Sequence, residues 1–482
     1  MKKYEASIGL EIHVQLRTRS KAFSRSRCSF AEEPNTATDP VTMGLPGALP
    51  VINFEAIRQT VRAGMLFHSQ IADLCRWDRK NYFYPDNPKN YQITQQAQPL
   101  CVGGHIEIEL PGPARNIQGK HLFVRLNRIH LEEDVGKLTH DGNRSLVDFN
   151  RAGVPLAEIV TEPDMHSPEE ASACLNSVRN CLAYAKISEC DMEKGQMRCD
   201  VNVSLRPLGE EKLGIRVEYK NLNSISGVRN AISHEIARQE RILSEGRSVR
   251  RETRRWDAQK NSSEGLRSKE TEHDYCYFPD PDLMAVRLPA SLLAEIHAQL
   301  PERPFDRQRR FMEKFQLPYT LTSVLCPSRP LSDFFEETLQ LHANPRAIAN
   351  LIANDLLREI SQHGHATDDF RLHPEDLAAL VRSVDEGKLS KQAAQDLLAH
   401  MYQTGKHFDE LADSFLRETD ASPIDIELLC REAIAACPKA VEEFRKGKST
   451  AINAIKGAVM KAAKGKANPA DIDRVLLTLL RQ

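Results

Sequence analysis

The sequence lacks the features that would place it in several broad classes of protein. None of its apolar runs reaches the ~18 residues of a membrane-spanning helix, and its first residues contain no apolar signal-peptide segment. Its 11 cysteines include no CxxC pair, which is typical of reduced, intracellular thiols and not of a disulfide framework. We therefore expect a soluble, cytoplasmic protein that does not contact a membrane.

Three further absences limit how the chain could bind nucleic acid or a nucleotide and which reactions it could catalyse. The formal net charge is only −2 over 482 residues, so any nucleic-acid binding has to come from a local basic segment. No Gly-x₄-Gly-Lys-Ser/Thr loop is present, so a nucleotide would be held through a metal ion and arginines. No serine–lysine or cysteine–histidine motif of a glutaminase is recognisable either.

The chain has 482 residues, a length sufficient for about two to four domains. Its pattern of apolar and polar residues changes twice along this length. Residues 1–290 contain short alternating runs separated by Pro/Gly turns, which predict strands with a few helices between them. One of these helices is announced by Ser167, a typical N-cap, followed by Pro168 and Glu170. Residues 291–404 and 405–482 have helical spacing and different charge balances, so we expect an α+β protein with three domains.

Polar side chains recur on one face of several predicted strands. Between Ile8 and Leu16 the apolar residues alternate with polar ones, which places Glu11 and His13 together on the polar face. Similar alternation carries Asp200 in RCDVNVSLRP and Glu218 in GIRVEYKNLNS, and Glu132 and Glu133 end the run RIHLEED. Each of these runs could by itself be a solvated strand face.

If these strands share one sheet, four carboxylates and one imidazole meet on its polar face. Such a group repels itself unless a divalent cation is bound. Oxygen ligands with a single histidine favour Mg²⁺ or Mn²⁺ over Zn²⁺, and such an ion is what ATP phosphates require. The pattern therefore predicts a magnesium or manganese site, on the assumption that the strands are neighbours.

Eight sequence strings, in order over the first 283 residues, resemble one family. They are IGLEIHVQL, DRKNYFYPDNPKNYQITQ, RIHLEED, SLVDFNRAGVPLAEIVTEPD, RCDVNVSLRP, RVEYKNLNS, RSKE and YFPDPDL. They closely resemble the B subunit of the bacterial glutamyl/aspartyl-tRNA amidotransferase. The resemblance continues through GKLSKQAAQDLL and VMKAAKGKANP, so it covers nearly the whole chain.

The resemblance implies an enzyme, a glutamine-hydrolysing carbon–nitrogen ligase. In that family the B subunit uses ATP to phosphorylate the side chain of Glu-tRNA(Gln), Asp-tRNA(Asn) or both. Ammonia from a glutaminase A subunit then displaces the phosphate, and a small C subunit completes a heterotrimer. The implied fold is an N-terminal cradle with an antiparallel-rich, glutamine-synthetase-like sheet, followed by a helical domain and a helical tail that binds tRNA.

Individual positions match the family's motifs. The resemblance implies metal ligands at Glu11, His13, Glu133, Asp200 and Glu218, with Glu132 as a less certain neighbour. It also implies that Lys80 and Lys89 line the end of an ammonia path with Glu133; otherwise they are solvated loop lysines. Arg267 and Lys269 are expected to contact nucleotide phosphates.

Two further segments have expectations of their own. Many family members hold a zinc ion near the N-terminus by cysteines, but the matching positions here are Ser24, Ser26, Asp39 and Thr42. We therefore expect no structural zinc and a loop held by packing alone. The tail has ten Lys/Arg against four acids after residue 437, which together with the resemblance predicts tRNA binding. The lysines concerned are Lys456, Lys461, Lys464 and Lys466.

Two other interpretations stay open from the sequence. The chain could be a tRNA-binding scaffold whose acidic strands do no chemistry, although the complete polar face argues against this. It could also be a relative of the archaeal-type E subunit, although no surplus length is present for that type's inserted domain. The sequence does not distinguish Glu-tRNA(Gln) from Asp-tRNA(Asn) as substrate.

Overall fold

The computed structural model describes residues 3–29, 33–268, 275–366, 368–412, 415, 426–445, 449–463 and 469–481. The chain forms two compact units, Met1–Pro304 and Phe305–Gln482. Among the described residues, every strand lies in the first unit, and the regular elements of the second unit are all helices. The expected α+β class, strands followed by helices, is confirmed. None of the helices among these residues is long and apolar enough to span a membrane.

The first unit contains seventeen strands and four helices among its described residues. The strands are β1 Tyr4–Gln15, β2 Gln70–Ile71, β3 Leu74–Cys75, β4 Asp78–Asn81, β5 Tyr91–Thr94, β6 Cys101–Val102, β7 His105–Glu109, β8 His121–Glu133, β9 Lys137–Asp141, β10 Arg144–Asp148, β11 Pro155–Thr161, β12 Met197–Pro207, β13 Val217–Leu222, β14 Glu252–Asp257, β15 Ser262–Ser268, β16 Cys276–Pro279 and β17 Val286–Arg287. The helices are α1 Phe54–Leu66, α2 Pro168–Tyr184, α3 Ile225–Ser244 and α4 Ala290–Ala298.

A ten-stranded sheet organises the first unit. Its order is β15-β14-β13-β12-β1-β11-β8-β6-β2, with β7 paired to β8 outside this path. Strand β1 lies in the middle of this path. Its alternating residues Ile8, Leu10, Ile12 and Val14 are completely buried, as expected for a strand with a covered face. The pairs along this path are antiparallel except β13–β14, which is parallel and is connected through α3.

Helices α2 and α3 pack on each other, and α3 packs on β12 and β13. The N-cap predicted for α2 is confirmed, because the Ser167 side chain accepts a hydrogen bond from the Glu170 amide. The same arrangement starts α3, where Ser224 caps Gly227. The buried apolar faces of the sheet and helices form one hydrophobic core, which leaves the polar face of the sheet for other groups.

The second unit is built from helices with two hydrophobic clusters, one within residues 311–411 and one within residues 430–480. The helices are α5 Pro304–Lys314, α6 Tyr319–Leu325, α7 Arg329–Leu341, α8 Pro345–Asn350, α9 Leu357–His363, α10 Pro374–Asp385, α11 Lys391–Thr404, α12 Ile426–Ala436, α13 Pro438–Arg445, α14 Ile452–Ala462 and α15 Pro469–Arg481. A π-helical turn, Leu351–Leu356, connects α8 to α9, and a short 3₁₀ turn, Ser449–Ala451, precedes α14. The division of this unit near residue 404 stays a prediction.

Candidate active site

Strand β1 presents Glu11 and His13 on the polar face of the sheet, between β11 and β12. The register aligns Glu11 with Asp200 of β12 and His13 with Glu158 of β11. Directly opposed residues of an antiparallel pair project to the same face. The two side chains of β1 therefore each meet a carboxylate on a different neighbouring strand.

The first group, which we call the carboxylate cluster, consists of Glu11, Asp200 and Glu218. One oxygen from each lies within 4.8 Å of the others. Around the cluster, Asn202 donates a 2.9 Å hydrogen bond to Glu11 and Thr253 donates one of the same length to Glu218.

A lysine partly balances the charge of this cluster. The ammonium of Lys220 lies 2.9 Å from Asp200 and 3.1 Å from Glu218. Burial raises the pKa of Glu11, and the charges of Glu158, Glu218 and Asp200 raise it further, against the hydrogen bond from Asn202. Three carboxylates thus share one ammonium, and Glu11 experiences the excess negative charge.

The second group, which we call the histidine cluster, consists of His13, Glu132 and Glu158, whose ligand atoms also lie within 4.8 Å of one another. Nε2 of His13 lies 3.4 Å from Glu158 Oε2, and Nε2 of His130 on β8 lies 3.3 Å from the same oxygen. Glu132 lies 3.6 Å from the ammonium of Lys80 on β4. Two imidazoles and one ammonium therefore surround two buried carboxylates.

The cations of the histidine cluster reverse the effect of burial. Burial raises the pKa of Glu158, but the charges and hydrogen bonds of His130 and His13 bring it well below its ordinary value. Burial likewise lowers the pKa of His13, and Glu158 more than offsets this, so that the net pKa is raised. Burial also acts to lower the pKa of Lys80, and the charge of Glu132 raises it overall.

Glu133 does not join either cluster. Adjacent residues of a strand point in opposite directions, and the Glu133 carboxylate forms an ion pair with Lys89 and accepts a 2.8 Å hydrogen bond from the Ile93 amide. Gly44 packs against this lysine: a Cβ at Gly44 would lie 2.9 Å from Cγ of Lys89, and its φ is +66°. The pairs Lys80–Glu132 and Lys89–Glu133 thus lie at neighbouring positions along β8.

The chemistry of these donors fits a hard divalent cation. The carboxylate cluster supplies oxygens alone, which Mg²⁺ prefers, and its excess negative charge is what such an ion would neutralise. The histidine cluster offers one imidazole with two carboxylates, a set that also suits Mn²⁺. The single predicted site is therefore divided into two adjacent groups on the same sheet face.

Comparison with known proteins shows which family the sequence of this chain matches. A model of the GatB/GatE catalytic domain matches residues 6–294, and a model of the GatB domain matches residues 333–480. A relative from Opitutus terrae is 54% identical over 482 residues and 99% of both chains. Its name is that of the B subunit of an aspartyl/glutamyl-tRNA(Asn/Gln) amidotransferase.

The chain belongs to this family of amidotransferase B subunits.

Relatives of the same name from Methylacidiphilum infernorum and Carboxydothermus hydrogenoformans are 44% and 41% identical. Each match covers 99% of this chain and 98% or more of the relative. The predicted family and its enzyme class, a ligase of tRNA amidation, are thereby confirmed. These relatives are named as B subunits and match this chain over 99% of its length. This favours the bacterial type over the E-type alternative.

Within this family member, the expected nucleotide contacts are only partly described. Arg267 on β15 pairs with Thr253 of β14, which in turn pairs with Glu218. The backbone of Arg267 therefore continues the row of strands that carries the carboxylate cluster. Lys269 lies outside the described residues.

The loop that matches the zinc-binding segment of the family is not held by packing alone, so this expectation is wrong. Ser24 and Thr42 hydroxyls lie 3.4 Å apart, the Ser26 amide donates to Ser24, and the Thr42 amide donates a 2.7 Å hydrogen bond to Asp39. Burial raises the pKa of Asp39, but hydrogen bonds from these neighbours lower it overall. Polar contacts thus connect all four positions.

The basic tail is described in part. Lys456 on α14 forms an ion pair with Asp473 on α15, which partly neutralises it. Lys461 is exposed near the end of α14. Lys464 and Lys466 lie outside the described residues, so tRNA binding by the tail stays a prediction.

Glu158 and His130 were not among the site residues predicted from the sequence. Glu158 lies in the otherwise apolar run PLAEIVT, and His130 lies two residues before Glu132 in RIHLEE, where it was not counted with the polar face. A charged or titratable residue alone in a buried strand is itself a signal, because such residues are seldom buried without a partner. Asn202 and Lys220 were visible in the alternation but were given no role.

Proposed function

We propose that this chain is the subunit that activates the side-chain carboxylate of Glu-tRNA(Gln), Asp-tRNA(Asn) or both with ATP, and then amidates it. The observation that carries the proposal is that two groups of possible metal ligands, the carboxylate and histidine clusters, lie on neighbouring strands of one sheet face, joined by Glu11 and His13 of β1. The names of the relatives, which specify both aspartyl- and glutamyl-tRNA, support this range of substrates.

In the first step an oxygen of the substrate carboxylate attacks the γ-phosphorus of ATP, and the bond between that phosphorus and the ADP oxygen breaks. Glu11, Asp200 and Glu218, or His13, Glu132 and Glu158, would hold a Mg²⁺ or Mn²⁺ ion, which would supply positive charge near the transferring phosphoryl group. The role of Lys220 and Lys80 is to orient these carboxylates, through the ion pairs described above.

In the second step ammonia attacks the acyl carbon, and the C–O bond to phosphate breaks with its electrons leaving on phosphate. Glu133 accepts the proton that the nitrogen loses, and Lys89 holds the Glu133 carboxylate in place. Lys80 and Lys89, each paired with a carboxylate, form the alternating charged lining that the end of an ammonia path requires.

The ammonia has to come from another polypeptide, because no glutaminase motif is recognisable in the sequence. We infer a cytoplasmic complex with a glutaminase A subunit and a small C subunit. Within this chain, residues 1–290 are assigned to catalysis, residues 291–404 to a helical domain, and residues 405–482 to tRNA binding. Removal of the residues after 404 should raise KM for tRNA and flatten its salt dependence.

Phosphate transfer tests the proposal directly. The reconstituted complex is given γ-labelled ATP and Glu-tRNA(Gln) without glutamine or ammonium, and label bound to tRNA is measured. The Glu11→Gln variant should transfer about 10³-fold less label, whereas Glu5→Gln should transfer as much as the wild type. Glu5 lies on the same strand but pairs with Arg206, away from both clusters. Equal labelling by Glu11→Gln, or no labelling by the wild type, contradicts the proposal.

A further inference from the structure

A second polar pocket lies on the helix-covered side of the sheet, away from both clusters. On β13, Glu218 belongs to the carboxylate cluster, whereas the next residue, Tyr219, faces α3 and hydrogen-bonds to Glu235 on that helix at 2.8 Å. The pocket, here the arginine pocket, has a volume of about 400 Å³. It is lined by His234, Ala237, Arg238, Arg241, Arg254 and Ser263.

Helical spacing brings three of the basic side chains together. His234, Arg238 and Arg241 lie four and seven residues apart on α3, which places them on one face of the helix. Arg254 reaches the same pocket from β14 and donates a 2.9 Å hydrogen bond to the Ser263 hydroxyl on β15. Two strands and one helix thus converge on this point.

Carboxylates hold two of the guanidinium groups in fixed orientations. Arg238 donates to both oxygens of Glu235, at 2.7 and 2.8 Å, and lies 3.2 Å from Glu252. Arg254 donates to the same Glu252 oxygen at 2.9 Å. Glu235 is completely buried, so this network is part of the fold and is preorganised.

The arginine pocket carries an excess of positive charge. Three arginines face two carboxylates, which leaves a formal charge of one, and Arg241 is exposed. Burial lowers the pKa of His234, and the charges of Arg254, Arg238 and Arg241 lower it further against Glu235. The surrounding segment, residues 229–255, contains eight arginines and four glutamates. An anion is the ligand that this field attracts.

We propose that the arginine pocket binds one phosphodiester group of the tRNA backbone, at a point distinct from the catalytic face. A diester carries one negative charge, which matches the excess of the pocket, and the guanidinium fork suits phosphate oxygens. The volume is large enough for a phosphate with its attached sugar, and the same folding unit carries the proposed catalytic clusters. The choice of RNA as the polyanion rests on the proposed function.

Salt-dependent binding of uncharged tRNA(Gln) to the reconstituted complex tests this site. The wild type is compared with Arg241→Gln in filter binding between about 50 and 200 mM KCl, without ATP. Loss of one phosphate contact should weaken binding about three- to tenfold at the lower salt concentration and reduce the slope of log K against log salt by about one. Arg241→Lys should retain the slope because it retains the charge.

Arg229→Gln is the matched control. Arg229 lies on the same helix, is exposed and pairs with Glu169 outside the pocket, so its loss should leave the slope unchanged. An unchanged slope in Arg241→Gln, or an equal change in the control, overturns the proposal. So does weakened assembly with the partner subunits at unchanged tRNA affinity, which would assign the pocket to an acidic protein surface. Because no phosphate transfer is measured, these outcomes are independent of the catalytic proposal.

Discussion

The carboxylate cluster and the histidine cluster share one sheet face but balance their charges differently. The carboxylate cluster sets three acids against the ammonium of Lys220, and its Glu11 has a raised pKa. The histidine cluster sets two acids against Lys80 and two imidazoles, and its Glu158 has a pKa well below the ordinary value. The first group therefore depends on an added cation for neutrality, whereas the second can obtain it by protonation of His13, whose pKa is raised.

The largest expected effect is a loss of activation, and it tests whether one cluster or both clusters are needed for catalysis. Glu11→Ala and His13→Ala each remove a ligand from a different cluster, so both should reduce ATP-dependent activation about 10³-fold if both clusters serve the reaction. Affinity for tRNA should stay nearly intact in both variants. The measurement is amidation by the complex with ammonium as nitrogen donor at saturating Mg²⁺.

Glu5→Ala provides the control on the same strand. A near-normal rate for one of the two cluster variants would show that its cluster is dispensable for activation. A near-normal rate for both would remove the metal assignment altogether.

The same contrast, between a charge with a partner of opposite charge and a charge without one, holds for the half-buried Lys80 and the buried Lys21. Lys80 faces Glu132, which raises its pKa, whereas Lys21 donates to two carbonyl oxygens, of Ala37 and Phe149, and burial lowers its pKa to about 8. Since the ordinary value is 10.5, the unfolded chain binds the Lys21 proton more tightly between pH 8 and 10.5. The free energy of unfolding should therefore rise with pH in this window, by up to about 3 kcal/mol.

Lys21→Met should lose this rise, so the difference between wild type and variant isolates it. Urea unfolding followed by tryptophan fluorescence measures the relevant unit, because both tryptophans, Trp77 and Trp256, lie in its core. Parallel pH dependences for the two proteins would show that Lys21 is not buried as a charged group at neutral pH.

The smallest expected effect is on stability: the difference between Glu11→Gln and the wild type should change sign when a divalent metal ion is added. Without divalent ions, Glu11→Gln should stabilise the first unit by about 1 kcal/mol at pH 7.5, because it removes one of three mutually repelling charges. The raised pKa of Glu11 means that its charge penalises folding above that pKa, and the gain should vanish as the pH falls below 4.5. With Mg²⁺ present the wild type should become the more stable protein.

The same fluorescence experiment in EDTA and in Mg²⁺ measures this reversal. Asn202→Asp serves as the opposite change, since it adds a carboxylate beside Glu11 and should increase the stabilisation by Mg²⁺. Equal stabilities of Glu11→Gln and wild type under both conditions would indicate that the carboxylate cluster is already neutral.

The alternation of apolar and polar residues along single strands predicted several strands of the first unit. It located β1, β12 and β13, and the capping sequence at Ser167 located α2. Alternation also identified which residues share a face, so Glu11, Asp200 and Glu218 could be grouped before their distances were known. What pattern cannot supply is which strands are neighbours: β11 lies between β1 and β8, and this brings Glu158 between His13 and His130.

The division of the site into two groups also escaped prediction, for a geometric reason. Glu132 and Glu133 are adjacent and point in opposite directions, and the register of β8 with β11 decides which of them meets His13 and which meets Lys89. The hydrogen bonds of Ser24, Asp39 and Thr42 were missed because their residues were judged as metal ligands alone. Polar groups unsuited to zinc can still bind one another.

The position of β1 has a consequence for biosynthesis. Its partners β11 and β12 begin at residues 155 and 197, so the strand with Glu11 and His13 is made well before either of the strands with which it pairs. At roughly 5–20 residues per second, the ribosome needs roughly 7–30 s to progress from residue 15 to residue 155. During this interval neither partner strand of β1 has been made, and a nascent chain that stops before residue 218 never acquires the complete carboxylate cluster.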